Sequence, residues 1–300
     1  MWCAGSTIKG VRTRLSQRRD FPSLRTGGIN APMTCRMPLA PLAILLALAT
    51  PVAALAGPVD DIVRLDMLPG WRAEDGTQMA GFRITLAPGW KTYWRAPGEA
   101  GIPPQINWSG SENVAGVAFH WPVPEIFHIG GYETYGYSDQ VVLPVAIAPA
   151  RTGAPMRIAG QLEIGVCQDV CVPVTLDFSA DLPTGARRDP ALALALADRA
   201  KTPAEAGLDP ARCAFAPGAD GLSLPATLPA GTDAEAVVIE TGDPSLWAAP
   251  VQLRREGGAI VASTRISHIA RAPVAIDRSA LVLTAIGGGK AVEFRGCAPA

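Results

Sequence analysis

Three hundred residues are enough for two ordinary domains. Charged residues make up 18% of the chain, which holds 31 Gly and 28 Pro; this excludes a disordered polyelectrolyte and favours short strands over long helices. Residues 1–56 hold seven Lys/Arg and one acid, Asp20, so the 19 basic and 26 acidic residues that follow make an acidic body, which argues against nucleic acid and against a polybasic membrane anchor.

The first predicted element is an export signal. Arg36 precedes the apolar run from Pro38 to Leu55, which closes on Ala54-Leu55-Ala56. A positive segment, an apolar segment and a small-residue site in that order read as a signal peptide cut after Ala56, so the expected location is the periplasm. The alternative is a transmembrane anchor, but the run carries three prolines and only just reaches spanning length. No cysteine follows the small residues, which argues against a lipoprotein. Met33 and Met37 are alternative starts. Arg18-Arg19-Asp20-Phe21 lies too far from the apolar run to serve readily as a twin-arginine signal.

From Ile62 onward the pattern is strand-like. Gly81 to Leu86 alternates and stops at Pro88-Gly89. Val141 to Ala148, Met156 to Val166 and Val172 to Phe178 read as further strands, and the spacing of turn signals suits an all-β sandwich over residues 57–183. Residues 184–206 break the pattern. Ala191 to Lys201 is rich in Ala and Leu and follows Asp189-Pro190, which predicts one connector helix capped by Asp189. A second small β-sandwich is expected over 207–300. Its strands include Ala236–Glu240, Ala259–Ser263, Val274–Ile276 and Leu281–Ala285. Gly287-Gly288-Gly289 is a turn and not a phosphate loop, since no helix or Lys-Ser/Thr signature follows.

Of six cysteines, Cys3 and Cys35 fall before the cleavage site. Four in an exported chain suggest two disulfides, and although three connectivities exist, spacing favours Cys167–Cys171 and Cys213–Cys297. Closing the long loop stabilises by roughly 4.6 kcal/mol in the chain-entropy model and the short one by roughly 2 kcal/mol. The long pair therefore reads as a structural staple of the second half. The short pair adds little to stability and suits exchange chemistry. An extended segment would hold Cys167 and Cys171 too far apart to bond, so Gln168-Asp169-Val170 must turn, as a hairpin tip or a single helical turn. No sequence feature here obviously favours a thiolate, and Asp169 opposes one if it lies close.

Several ordered motifs between residues 89 and 183 carry a resemblance. They are Gly89-Trp90-Lys91-Thr92-Tyr93-Trp94-Arg95, Pro97-Gly98-Glu99-Ala100-Gly101-Ile102-Pro103-Pro104, Trp121-Pro122-Val123-Pro124, Thr134-Tyr135-Gly136-Tyr137, Val141-Val142-Leu143-Pro144-Val145 and Val166-Cys167-Gln168-Asp169-Val170-Cys171-Val172-Pro173. This stretch resembles the N-terminal periplasmic domain of the thiol:disulfide interchange protein DsbD, and especially its suppressor-of-copper-sensitivity, ScsB-like relatives. The second half resembles the further β domain of that branch more loosely.

The resemblance implies an immunoglobulin-like fold and a thiol-disulfide oxidoreductase of the protein-disulfide reductase type, with no cofactor. Its cysteine pair would accept electrons from a membrane-embedded thiol donor of the DsbD/CcdA type and pass them to thioredoxin-like or disulfide isomerase-like periplasmic proteins. By the same analogy Cys171 forms the mixed disulfide and Cys167 resolves it. Tyr132-Glu133-Thr134-Tyr135-Gly136 occupies the place of a cap loop that shields the pair. Glu133 stands where the family has an active-site acid, and could accept the attacking thiol's proton. Thr134 replaces a capping aromatic, leaving Tyr135 or Tyr137 for that work. Transmembrane and thioredoxin-like domains are not found in this chain, so those parts are expected as separate proteins.

Trp90, Tyr93, Trp94 and Trp121 read as sandwich core. Two other functions compete with exchange. One is a β-sandwich interaction module without a redox role. The other is a Cu(I)-binding copper-tolerance protein, with the thiolates and His128 or Met156 as ligands; outside that alternative no metal is expected.

Overall fold

The computed structural model describes residues 61–185, 188–218 and 221–300. The export segment expected over residues 1–56 lies outside the described residues, as do Cys3 and Cys35. Among the described residues no helix is long and apolar enough to cross a membrane.

Among the described residues, ten strands build the first half: β1 (Val63–Arg72), β2 (Gln78–Leu86), β3 (Lys91–Gly98), β4 (Gln105–Asn107), β5 (Val114–Phe119), β6 (Glu125–Ile129), β7 (Tyr132–Ser138), β8 (Gln140–Pro149), β9 (Met156–Cys167) and β10 (Cys171–Leu182). They form two antiparallel sheets, ordered β1-β2-β8-β5 and β10-β9-β3-β7-β6, with β4 joining the second sheet through β9. The expected all-β, immunoglobulin-like class is what folds. Alternation drives it: Ala80, Phe82, Ile84 and Leu86 of β2 all turn inward and are buried. Phe82 anchors the space between the sheets, edge-on to Trp108 and Phe178 at centroid distances of 5.9 and 5.0 Å.

β9 and β10 form a ladder of twelve rungs with no register shift, from Leu182 opposite Met156 to Cys171 opposite Cys167. Both strands run further than the sequence pattern predicts: the cysteines add a last rung at one end, and β10 stays paired with β9 past Phe178 to Leu182 at the other. Only residues 168–170 are left to turn, so the turn is a hairpin tip.

The connector departs from expectation. Asp189 does cap a helix, its carboxylate accepting from the backbone N–H groups of Ala191 and Leu192. That helix, α1 (Pro190–Ala197), stops four residues short of Lys201, and a second short helix, α2 (Pro203–Ala206), follows. Long-range backbone pairing ends it. The Asp198 carbonyl accepts from the Val123 N–H at 2.8 Å, and Lys201 exchanges bonds with Ala291 and Glu293 at 2.9 and 2.8 Å. These bonds override the helix propensity of the Ala/Leu run. Leu192, fully buried, fills space left by Gly81, where a Cβ would collide with it. Burying that leucine contributes roughly 2 kcal/mol.

Among the described residues, ten strands make the second half: β11 (Arg212–Cys213), β12 (Ala216–Gly218), β13 (Gly221–Leu228), β14 (Ala236–Glu240), β15 (Leu246–Ala248), β16 (Gln252–Glu256), β17 (Ala259–His268), β18 (Val282–Gly287), β19 (Lys290–Arg295) and β20 (Ala298–Pro299). One sheet runs β15-β17-β13-β11-β20, with β12 on β13 and β16 on β17; the other runs β14-β18-β19. Val274–Ile276 is not a strand. Pro273 removes a ladder donor, and the two apolar side chains pack on the second core from a loop, so their alternation marks burial rather than pairing. Cys213 and Cys297 are disulfide-bonded, beside the two parallel rungs that join β11 to β20.

The halves share a core. Ala236, Val238, Ile286 and Ala291 belong to the buried cluster that contains Trp94 and Tyr135. Arg95 donates to both carboxylate oxygens of Glu240, at 3.0 and 2.8 Å, and to Glu293 at 2.6 Å. Its guanidinium also lies 4.4 Å from the Trp94 ring centroid. Desolvation alone would lower the Arg95 pKa, but its bonds to the two carboxylates outweigh that and raise it. Strand β3 is thus tied at Trp94 and Arg95 to the second half.

Candidate redox site at the β9–β10 hairpin

Cys167 and Cys171 are bonded across the final rung of the hairpin, with their Cα atoms 4.1 Å apart. Their exposures differ sharply. Cys167 is 1% exposed, whereas Cys171 faces solvent at the edge strand β10. Val170 and Val172 beside it are exposed as well, at 71% and 40%. One sulfur is therefore open to an incoming group and the other is shielded by the sheet.

Tyr93 supplies the polar contact. Its hydroxyl lies 2.9 Å from the Cys167 sulfur and 3.1 Å from the Cys171 sulfur. A disulfide carries no proton, so the phenol is the donor. Strand β3 brings it there. Lys91 and Thr92 pair with Cys167 and Val166 of β9, and the Thr92 hydroxyl donates to the Gly165 carbonyl at 2.9 Å. The tyrosine ring needs the space that Gly165 leaves. A Cβ there would come within 2.7 Å of Ile102 and 3.1 Å of the Tyr93 ring. Gly101 and Ile102, in the link from β3 to β4, cover the ring, which is 2% exposed. Burial raises the Tyr93 pKa above the usual phenol value of 10.0. The group therefore stays protonated as a donor and does not act as a base near neutral pH.

An exposed and a buried sulfur, held at a hairpin mouth under a phenol, match what thiol–disulfide exchange requires. Residues 64–183 match the family described as the thiol:disulfide interchange protein DsbD, N-terminal. These residues belong to the DsbD N-terminal domain family. The chain is also similar to the crystal structure of the N-terminal periplasmic domain of ScsB from Proteus mirabilis, with 24% identity over 82% of this chain and 97% of that one and a TM-score of 0.62. That likeness in fold extends beyond the DsbD-type domain into the second half. The reduced N-terminal domain of DsbD from Neisseria meningitidis aligns with 19% identity over 45% of this chain and 96% of that one, at a TM-score of 0.27. No curated protein sequence matches the chain.

Within the DsbD-type domain, the stretch expected to cap the disulfide is a strand, and alternation divides it between two faces. Gly136 pairs with Tyr93, which sets Tyr132, Thr134, Gly136 and Ser138 on the cysteine face. Thr134 is buried there, its hydroxyl oxygen without a partner in the structure, while Tyr132 is half exposed at the far end of the strand. Glu133, Tyr135 and Tyr137 point the other way. Tyr135 stacks edge-on against Trp94, and the Tyr137 hydroxyl donates to the Pro122 carbonyl at 2.9 Å. Neither hydrogen-bonds to a sulfur; the hydroxyl that does belongs to Tyr93, with Gly101 beside its ring.

Glu133 is likewise not brought to the disulfide. Its carboxylate accepts from the Tyr135 hydroxyl and lies 3.4 Å from the His128 imidazole, its cross-strand partner. Desolvation and the bond to Glu133 drive the Tyr135 phenol well above its ordinary pKa. Glu133 thus stands on the face opposite the sulfurs, and the expected proton-acceptor role has no geometry to support it.

The copper alternative fares no better. His128 shares that opposite face, and Met156 sits at the other end of the twelve-residue strand, on the order of 35 Å from Cys167 at strand rise. Among the described residues no group of three or more His, Cys, Asp or Glu is placed to hold a metal ion. Trp90, Trp94 and Trp121 pack in or against the core. Tyr93, which reads from the sequence as core, is the residue that meets the sulfurs. The signal available for it was Gly165, two positions before Cys167, which leaves room for the ring.

Proposed function

We propose that this chain is a periplasmic thiol–disulfide exchange protein that relays electrons between a membrane-embedded thiol donor of the DsbD/CcdA type and thioredoxin-like or isomerase-like envelope proteins. The observation that carries the reading is the asymmetry of one bonded pair: Cys171 open, Cys167 buried under the Tyr93 hydroxyl.

The chemistry follows from that asymmetry. A donor thiolate attacks the Cys171 sulfur in line with the Cys171–Cys167 bond. A bond forms between donor and Cys171, the intramolecular bond breaks, and its electron pair goes to the Cys167 sulfur. Tyr93 donates a hydrogen bond to the thiolate that results. The donor's second thiolate then attacks its own sulfur in the mixed disulfide, expelling Cys171 as a thiolate. The pair is now reduced by two electrons and takes two protons from solvent, and the donor leaves oxidised. Run in reverse against a more oxidising partner, the same steps pass the electrons on. The short loop favours this use. Closing five residues stabilises the fold by only roughly 2 kcal/mol, so opening the bond leaves the domain folded.

The test is a trap in envelope extracts. With Cys167→Ser, Cys171 cannot be released by its neighbour, and mixed disulfides with redox partners accumulate. With Cys171→Ser they do not, because the remaining thiol is buried. Equal capture by both variants, or a reduction potential far below about −300 mV, would sink the proposal.

A further inference from the structure

Lys91 has no part in the scheme above, yet it is the cross-strand partner of Cys167. Directly opposed residues have Cβ atoms about 4.5–5.5 Å apart on one face of the sheet, and a lysine side chain can span that gap to the sulfur. In the bonded state its ammonium lies elsewhere. It rests 4.8 Å from the Phe127 ring centroid, on β6, on the far side of β3 from Cys167. Among the described residues no carboxylate lies within ion-pair distance of it. A cation held only by an aromatic face is weakly held, and a new negative charge competes for it easily.

Resting on the exchange reading, we infer that Lys91 is the charge-stabilising residue of the site: it leaves the Phe127 ring and faces the Cys167 thiolate when the Cys167–Cys171 bond opens. Attack at Cys171 places a full negative charge on a sulfur that is 1% exposed and poorly solvated. The other ionisable groups around it oppose that charge or are neutral. Asp169 lies in the turn, Glu163 two alternate positions along β9, and Glu125 beyond Ser138, whose hydroxyl and N–H donate to it. Tyr93 is a neutral donor. Lys91 is the cation whose strand position pairs with Cys167 on this face, and a lower thiol pKa makes Cys167 a better leaving group.

The experiment uses the full chain and reads Cys167 itself. In a Cys171→Ser background, ionisation of Cys167 is followed by the ultraviolet absorbance of its thiolate as a function of pH, a readout that needs no access to the buried sulfur. Lys91→Met is expected to raise the midpoint by about one unit, and Lys91→Arg to keep it near the parent value. With both cysteines present, Lys91→Met slows reduction of the bond by dithiothreitol about threefold, and arginine restores it. An unmoved midpoint in Lys91→Met, or failure of arginine to restore, leaves Lys91 a solvated surface cation and overturns the inference while exchange stands. If dithiothreitol reduces the bond in no variant, the exchange reading fails and this inference with it.

Discussion

Replacing Cys213 and Cys297 together by alanine is expected to lower the unfolding free energy by roughly 4.6 kcal/mol, the chain-entropy value for a loop of about 85 residues. The pair joins positions 84 residues apart, and both cysteines are buried. Cys213 ends the first strand of the second half and Cys297 precedes its last, so the bond fixes the ends of a sheet whose β11–β20 contact is only two rungs long. Urea unfolding of the double variant against the oxidised parent, with the slope of each fitted separately because the unbridged unfolded chain exposes more surface, checks the figure. The parallel variant at Cys167 and Cys171 should lose about 2 kcal/mol. A loss as large at the short pair as at the long one would contradict the division into an exchange bond and a staple.

The division itself was legible in the sequence, because loop length is a sequence quantity. So were the alternating strands, the cap at Asp189 and the ordered motifs shared with the DsbD N-terminal family. What escaped was whatever depends on register between distant strands. Tyr93 and Trp94 are adjacent aromatics in one strand, and the sequence gives no sign of which face meets a cysteine 74 positions away. Pairing of Lys91 with Cys167 decides it, and sends Tyr93 to the sulfurs and Trp94 to the core. Register also decides where Glu133 points. Read as a cap loop, Tyr132-Glu133-Thr134-Tyr135 could present any side chain to the disulfide. Folded as a strand, it gives the cysteine face to Tyr132 and Thr134 and removes Glu133 to the other side. The connector helix shows the reverse case, where strong local propensity yields at Asp198 to backbone partners far away in sequence.

Tyr93→Phe should slow reduction of the Cys167–Cys171 bond about 10- to 100-fold while leaving the oxidised fold nearly as stable. The two halves of that expectation come from the change in the acceptor. In the oxidised protein the phenol faces disulfide sulfurs, weak acceptors, so losing the hydroxyl costs less than about 1 kcal/mol. The ring remains, wedged between Gly165 and Ile102. When Cys171 is attacked, the same hydroxyl faces a thiolate, and a hydrogen bond to a charged group stabilises by about 1.5–3 kcal/mol. An interaction stronger in the transition state than in the ground state appears in the rate. The pH profile carries an independent check. Because burial raises the Tyr93 pKa, the donor persists through the neutral range, and the rate of the parent should rise with pH only as the attacking thiol ionises. The variant should keep that slope and shift down uniformly. Its pair should also be harder to reduce, by about 30 mV for each 1.4 kcal/mol lost from the thiolate form. Stopped-flow reduction by dithiothreitol across pH 6–9 reads rate and slope together; a rate within twofold of the parent would mean that the contact at 2.9 Å serves packing alone.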